Sequence, residues 1–137
     1  MLRLATHAYA EMVAHCWDGL PLEACGLLAG LAPGHDVEAT ACYPTANAAA
    51  SARVYELDGK EFLRADRDAE DRGLTIVGVF HSHTHTAAYP SPTDVAQAPD
   101  PGWHYVVVSL ADGPPVVRSY RITDGNICEE AVVLTRG

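Results

Sequence analysis

"LTIVGVFHSHTHTAAYPSPTD", Leu74 to Asp94, changes character half-way along. Its first half is apolar and rich in β-branched residues, as in a strand buried on both faces. Its second half places histidines at 81, 83 and 85, prolines at 90 and 92, and then Ser91 and Asp94 around the second proline. On an extended segment residues i and i+2 project to the same side, so the imidazoles of His81 and His83 can face one ion. The prolines forbid a regular strand beyond them. Ser91-Pro92 then reads as a helix start, with a serine N-cap and a proline at the first helical position. That puts Asp94 on the first turn of the helix, within reach as a third ligand. Two histidines and one acid with an open fourth position is a catalytic zinc arrangement, although Mn²⁺ and Fe²⁺ accept the same donors. An isolated H-x-H is a weak signal. Four polar positions matched at fixed spacings are a strong one, and the competing reading is a polar loop whose serine only caps a helix.

Outward from this stretch, Thr6–Gly19 "THAYAEMVAHCWDG" carries Ala8, Met12 and Cys16 at helical spacing, with Thr6 as its expected N-cap. Glu23–Gly30 "EACGLLAG" reads as a short buried strand with close backbone approaches at its two glycines. "LAPGHD" (31–36) is expected to turn, and Val37–Asn47 to form a second strand running into a loop. Asp58–Arg72 suggests an amphipathic helix capped by Asp58 and ended by Gly73, with Phe62, Leu63, Ala65 and Ala69 on its apolar side. Trp103–Leu110 and Pro115–Ile122 are strands joined by the "ADGPP" turn, and Gly125–Leu134 adds another. Strands and helices alternate at first and then strands cluster, which implies an α/β fold with a mixed sheet.

The 137 residues are expected to form one domain, spanning 1–137, and 48% of them are hydrophobic. No apolar run approaches the roughly 20 residues of a membrane span, and the N-terminal stretch has no signal-peptide core. A cytoplasmic location without membrane association is therefore expected. The net charge of −9 speaks against a nucleic-acid surface. Cys16, Cys25, Cys42 and Cys128 form no C-x-x-C pair and are read as reduced thiols, mostly packed as small hydrophobes.

His81, Ser82 and His83, followed at the family's spacing by Ser91 and Asp94, resemble the JAMM (MPN+) metalloprotease motif of a glutamate followed by H-S/T-H-x7-S-x-x-D. The resemblance covers nearly the whole chain in element order. It implies the cytidine-deaminase-like α/β sandwich of that family, a mixed β-sheet flanked by helices. It also supplies an upstream glutamate, which "LPLEACGLLAG" (Leu20–Gly30) places at Glu23, ahead of Glu11, Glu38 and Glu56. One zinc ion per chain would be held by His81, His83 and Asp94, and would bring the pKa of a bound water to about 7. Glu23 would shuttle the proton, and Ser91 would donate a hydrogen bond to the oxyanion while also capping its helix.

His85 shares the parity of the other two histidines. It is either a fourth ligand closing the site or, the preferred reading, a loop residue near the substrate, as is Tyr89. Cys25 is read as core, with a thiolate near the metal as the alternative. His7, His15 and His35 are expected at the surface, and His104 is expected to face solvent or accept a local hydrogen bond rather than bind metal.

Within the family the chain looks like the Mec-type branch, whose substrates are ubiquitin-like sulfur-carrier proteins ending in Gly-Gly. That implies cleavage after the second glycine, releasing cysteine or a short extension, with the extended tail adding to a sheet edge beside the zinc. The alternative is a non-catalytic MPN scaffold, against which the full ligand set argues. A zinc deaminase would need H-x-E with P-C-x-x-C, and the chain has neither.

Overall fold

The computed structural model describes residues 1–31 and 35–136. In chain order the elements are β1 (Leu2–Ala5), α1 (Thr6–Gly19), β2 (Cys25–Gly30), β3 (Val37–Thr45), α2 (Gly59–Asp71), β4 (Thr75–His83), α3 (Pro92–Ala96), β5 (His104–Ser109), β6 (Val116–Thr123), β7 (Asn126–Glu130) and β8 (Val132–Thr135). The eight strands form one sheet in the order β7-β6-β5-β4-β2-β3-β1-β8. It is mixed: β4 runs parallel to β5 and antiparallel to β2, and β1 runs parallel to both its neighbours. The expected turn at 31–36 falls largely on residues 32–34, which lie outside the described residues.

The helices cover the two faces. Ala8, Met12 and Cys16 of α1 pack with Leu2, Leu4, Leu28, Phe80, Val106 and Val108. Ala65 and Ala69 of α2 pack with Leu27, Val79, Tyr105 and Val107 on the other side. In β5 the alternation is regular, with 105 and 107 on one face and 106 and 108 on the other.

In β4 it is not. Leu28 pairs with Gly78 but Ala29 pairs with Ile76, so one extra residue of β4 is inserted between them. Val77 faces α1 while Ile76 and Val79 face α2. Such a bulge reverses the parity of everything after it. Here it turns Phe80 and Ser82 toward α1, and His81 and His83 toward the α2 face. The close approaches expected at the β2 glycines are present. A Cβ on Gly26 would lie 2.4 Å from the Phe80 ring, and one on Gly30 would lie 2.1 Å from the Glu38 carbonyl oxygen.

Some expectations are corrected. α1 begins after Ala5 with no side-chain cap, so Thr6 is not its N-cap. Thr6 is instead its first residue, because β1, which was not anticipated, runs directly into the helix. In α2, Asp58 caps as expected, accepting from the N–H groups of Lys60 and Glu61, and Gly73 leaves the helix at φ +73°. Leu63, however, is exposed, since a stripe through 62, 65 and 69 leaves it off the apolar face.

The C-terminal segment gives two strands where one was expected. β7 pairs with β6 at one end of the sheet, and β8 pairs with β1 at the other. Only Ala131 separates them. Since adjacent Cα atoms are about 3.8 Å apart, the sheet must curl until its two ends meet.

His104 is fully buried, not solvent-facing. Its Nδ1–H donates to the Glu130 carboxylate at 2.5 Å, and the Ser119 hydroxyl donates to the same oxygen at 2.7 Å. Burial opposes the charge on Glu130, but these two donors, with the N-terminal ammonium 2.9 Å from its other oxygen, outweigh it and hold the carboxyl down at about 2. A carboxyl lowered on folding adds stability above its unfolded value, and that contribution is lost as pH falls through the folded one. Glu130→Gln should therefore cost up to about 3 kcal/mol at neutral pH, the linkage worth of a carboxyl lowered from its ordinary value to about 2. In thermal unfolding followed from pH 7 to pH 2, the gap to the unmutated protein should begin to narrow below about pH 4.5 and close at about pH 2.

Candidate metal centre

The two histidines reach the site from the end of β4, and Asp94 reaches it from α3. The S-P-T-D sequence builds a capping box: Ser91 Oγ accepts from the Asp94 N–H at 3.1 Å, and Asp94 Oδ2 accepts from the Ser91 N–H at 2.9 Å. This reciprocal pair folds the Asp94 carboxylate back toward the strand. Asp94 Oδ2 lies 3.0 Å from Nε2 of both His81 and His83, and the two Nε2 atoms are 3.1 Å apart. All three side chains are about 95% buried or more.

The chemistry of this donor set fits a cation. His83 Nδ1 lies 2.9 Å from the Ala87 carbonyl. A carbonyl only accepts, so Nδ1 carries the proton, and a neutral ring then presents a lone pair at Nε2. The ligand atoms of His81, His83 and Asp94 all lie within 4.8 Å of one another. His81 is stacked on Tyr55, centroids 4.3 Å apart and planes 18° apart, which fixes its ring.

Electrostatics point the same way. Burial lowers the pKa of His81. For His83 burial also opposes the charge, but hydrogen bonds to Asp94 and Ala87 outweigh it and raise the pKa. Asp94, despite burial, is held well below the usual carboxylate range by its bonds to the two histidines. The cradle favours positive charge.

Glu23 lies beside it, 4% exposed, with Oε1 lacking a hydrogen-bond partner among the described residues. Burial pushes its carboxyl up to about 7, with His83 lowering it and Asp94 raising it further. Its backbone is clamped: the Glu23 N–H donates to the Ser51 carbonyl at 2.8 Å, and Asn47 Nδ2 donates to the Glu23 carbonyl at 3.0 Å. Glu23, His83 and Ser91 share a cleft of about 560 Å³ with Ala52, Arg53, Thr84, His85 and Thr86. The Ser91 hydroxyl uses a lone pair in the cap, which leaves its O–H free to donate into that cleft.

The structure thus brings together all five residues expected from sequence. His85 is outside the ligand cluster; its Nδ1 pairs with Thr84 Oγ1 at 2.7 Å at the cleft wall. Tyr89 is absent from the cleft lining and packs edge-on against Tyr120. Cys25 is buried core, its thiol pushed up by burial. His15 is half-buried and not at the surface: its ring contacts the carbonyls of Cys25 and Thr45, tying α1 to β2 and β3. Glu11 and Glu56 are exposed, and Glu38 pairs with Thr135. A substrate tail cannot add to β4 itself, which is interior with β2 and β5 on its two sides. Tyr55 and Asn47 were missed. Their one signal is a lone aromatic and a lone amide in the otherwise small and polar segment 46–56.

The family profile described as prokaryotic homologs of the JAB domain matches residues 5–123. The chain belongs to this family. Peptidase chemistry goes with membership of the JAB family, and a metal ion with its cluster of two histidines and an aspartate. The CysO-cysteine peptidase of Mycobacterium tuberculosis is 46% identical over 122 residues, which span 88% of this chain and 82% of that protein. The desampylase of Haloferax volcanii is 38% identical over 113 residues, 79% of this chain and 80% of that one. A Desulfitobacterium hafniense protein solved in solution superposes with a TM-score of 0.92 at 37% identity, covering 100% of this chain and 94% of its own. These likenesses bear out the α/β JAB-type fold, a mixed sheet flanked by helices, and argue against the non-catalytic alternative.

Proposed function

We propose that residues 1–137 act as one zinc-dependent peptidase domain, hydrolysing the bond after the C-terminal Gly-Gly of a ubiquitin-like sulfur-carrier protein and releasing cysteine or a short extension. The observation that carries this reading is the convergence of His81, His83 and Asp94 beside Glu23, whose Oε1 has no hydrogen-bond partner among the described residues. The names of the mycobacterial and haloarchaeal relatives support the substrate class. Two imidazole nitrogens and one carboxylate oxygen suit zinc, and three protein ligands leave a position for chemistry. When bound, zinc supplies a nucleophilic water near neutral pH and polarises a carbonyl.

The chain's own residues do the rest. Glu23, with its pKa near neutrality, takes a proton from the attacking water and passes it to the leaving nitrogen. The Ser91 hydroxyl donates to the carbonyl oxygen as negative charge develops on it. The water oxygen ends in the new glycine carboxylate, and the C–N bond breaks. Two glycines let an extended tail approach closely where side chains would clash. A cytoplasmic setting fits the four cysteines, all unpaired. No helix among the described residues is long and apolar enough to cross a membrane.

Mass spectrometry of carrier fusions ending in Gly-Gly-Cys, Gly-Gly-Cys-Phe and Ala-Ala-Cys tests the reading. The zinc-loaded protein should cut the first two after the second glycine and leave the third intact. Absence of cutting on every Gly-Gly carrier would overturn the substrate, and equal cutting of the Ala-Ala carrier would overturn the glycine requirement.

A further inference from the structure

We infer that Arg53 is the specificity-determining residue for the departing segment, binding the free α-carboxylate of the residue released. The inference rests on the peptidase reading above. Among the described residues lining the catalytic cleft, Arg53 alone carries a permanent positive charge. The protein carries a net charge of −9 and the cleft contains Glu23, while a bound metal's charge is met by Asp94 and the reacting carbonyl, so a leaving residue ending in a carboxylate gains from a second, fixed cation. Guanidinium matches a carboxylate with two parallel hydrogen bonds, which favours it over a point charge for this task.

The segment that presents Arg53 is built to hold still. Ser51 Oγ accepts from the N–H groups of Arg53 and Val54 at 3.0 and 3.3 Å. Asn47 Nδ2 donates to the Val54 carbonyl at 3.0 Å, and Asn47 Oδ1 accepts from the N–H groups of Ala49 and Glu56, each at 3.0 Å. Two further bonds fasten the segment to residues flanking β2 and β4: the Glu23 N–H donates to the Ser51 carbonyl, and Thr84 Oγ1 donates to the Ala52 carbonyl at 3.3 Å. The same amide, Asn47, therefore braces both the general base and the arginine loop. An exposed arginine on a fixed loop loses little backbone entropy on binding, and Arg53 lines the same cleft as Ser91 and His83, the one that receives the scissile bond. A peptide tail of one or two residues ends in a carboxylate within that cleft. A lysine side chain of a folded protein joined to the same Gly-Gly does not.

The test uses carriers ending in Gly-Gly-Cys as the free acid and as the α-carboxamide, together with a carrier joined through Gly-Gly to a lysine side chain of a folded protein. The unmutated protein should cut the acid with kcat/KM about 10- to 100-fold above the amide. Arg53→Gln should bring the acid down to the level of the amide while leaving the amide and the lysine conjugate unchanged. Binding supplies a readout apart from turnover. Glu23→Gln should bind the uncut acid more tightly than the amide, and Glu23→Gln combined with Arg53→Gln should not. Equal handling of acid and amide by the unmutated protein would overturn the assignment with the peptidase reading intact. So would an equal loss on all three substrates in Arg53→Gln. Failure to cut any of the three would remove the peptidase reading and this inference with it.

Discussion

Glu23→Gln is expected to keep its metal content and to lose about 10²–10⁴-fold in kcat, the range that a positioned general base supplies. Glutamine preserves the shape and the backbone clamps from Ser51 and Asn47, and Glu23 is outside the group of converging ligand atoms. What it removes is the ability to take up and release a proton. Zinc content by elemental analysis and single-turnover cleavage of a Gly-Gly-Cys carrier separate the two properties. Near-normal kcat in this variant would move the base to another residue. Loss of zinc would make Glu23 a ligand.

The second large effect is expected from removing the metal or its carboxylate ligand. Chelator treatment of the unmutated protein should take peptidase activity to background, with zinc restoring it. Asp94→Ala should sit at background with or without added zinc. Three roles meet in that carboxylate: it faces both imidazoles, closes the capping box, and carries the negative charge that offsets a bound cation. Losing the cap costs about 1 kcal/mol of local stability, which circular dichroism can check. A folded but inactive and zinc-free variant is the expected result, and full activity in a metal-free sample would sink the mechanism.

The parts of this site that could be read from sequence are those set by local rules. His81 and His83 share a face because strands have a period of two, and Ser91, Pro92 and Asp94 act together because helix starts have few chemical solutions. Which face the histidines take was not legible. It depends on the extra residue of β4 near Val77 and Gly78, and a bulge in an unbroken apolar run leaves no mark on the pattern. His104 was misread because nothing local announces a partner 26 residues away. β1 was hidden by its brevity, four residues leading straight into a helix. Asn47 and Tyr55 act through contacts with Glu23 and His81 that only the folded chain creates. Glu23 itself was located through family resemblance, since a glutamate before a strand is ordinarily a solvated residue.

The junction at Ala131 has a consequence for the order of assembly. β8 completes the ladder of β1, and the two lie at opposite ends of the described chain. During synthesis β1 can pair with β3 early, but its other side stays without a partner until residues 132–135 are made. Leu2 and Leu4, fully buried in the finished sheet, belong to that waiting strand. Closing a loop of this length adds a late entropic toll to the last step, and contacts of such separation slow folding. An incomplete chain therefore carries an open, apolar strand edge of the kind that recruits other chains. The short β8 serves as a latch on β1: it takes up that edge and leaves the four-residue β8, rather than β1 with its buried leucines, as the outer strand.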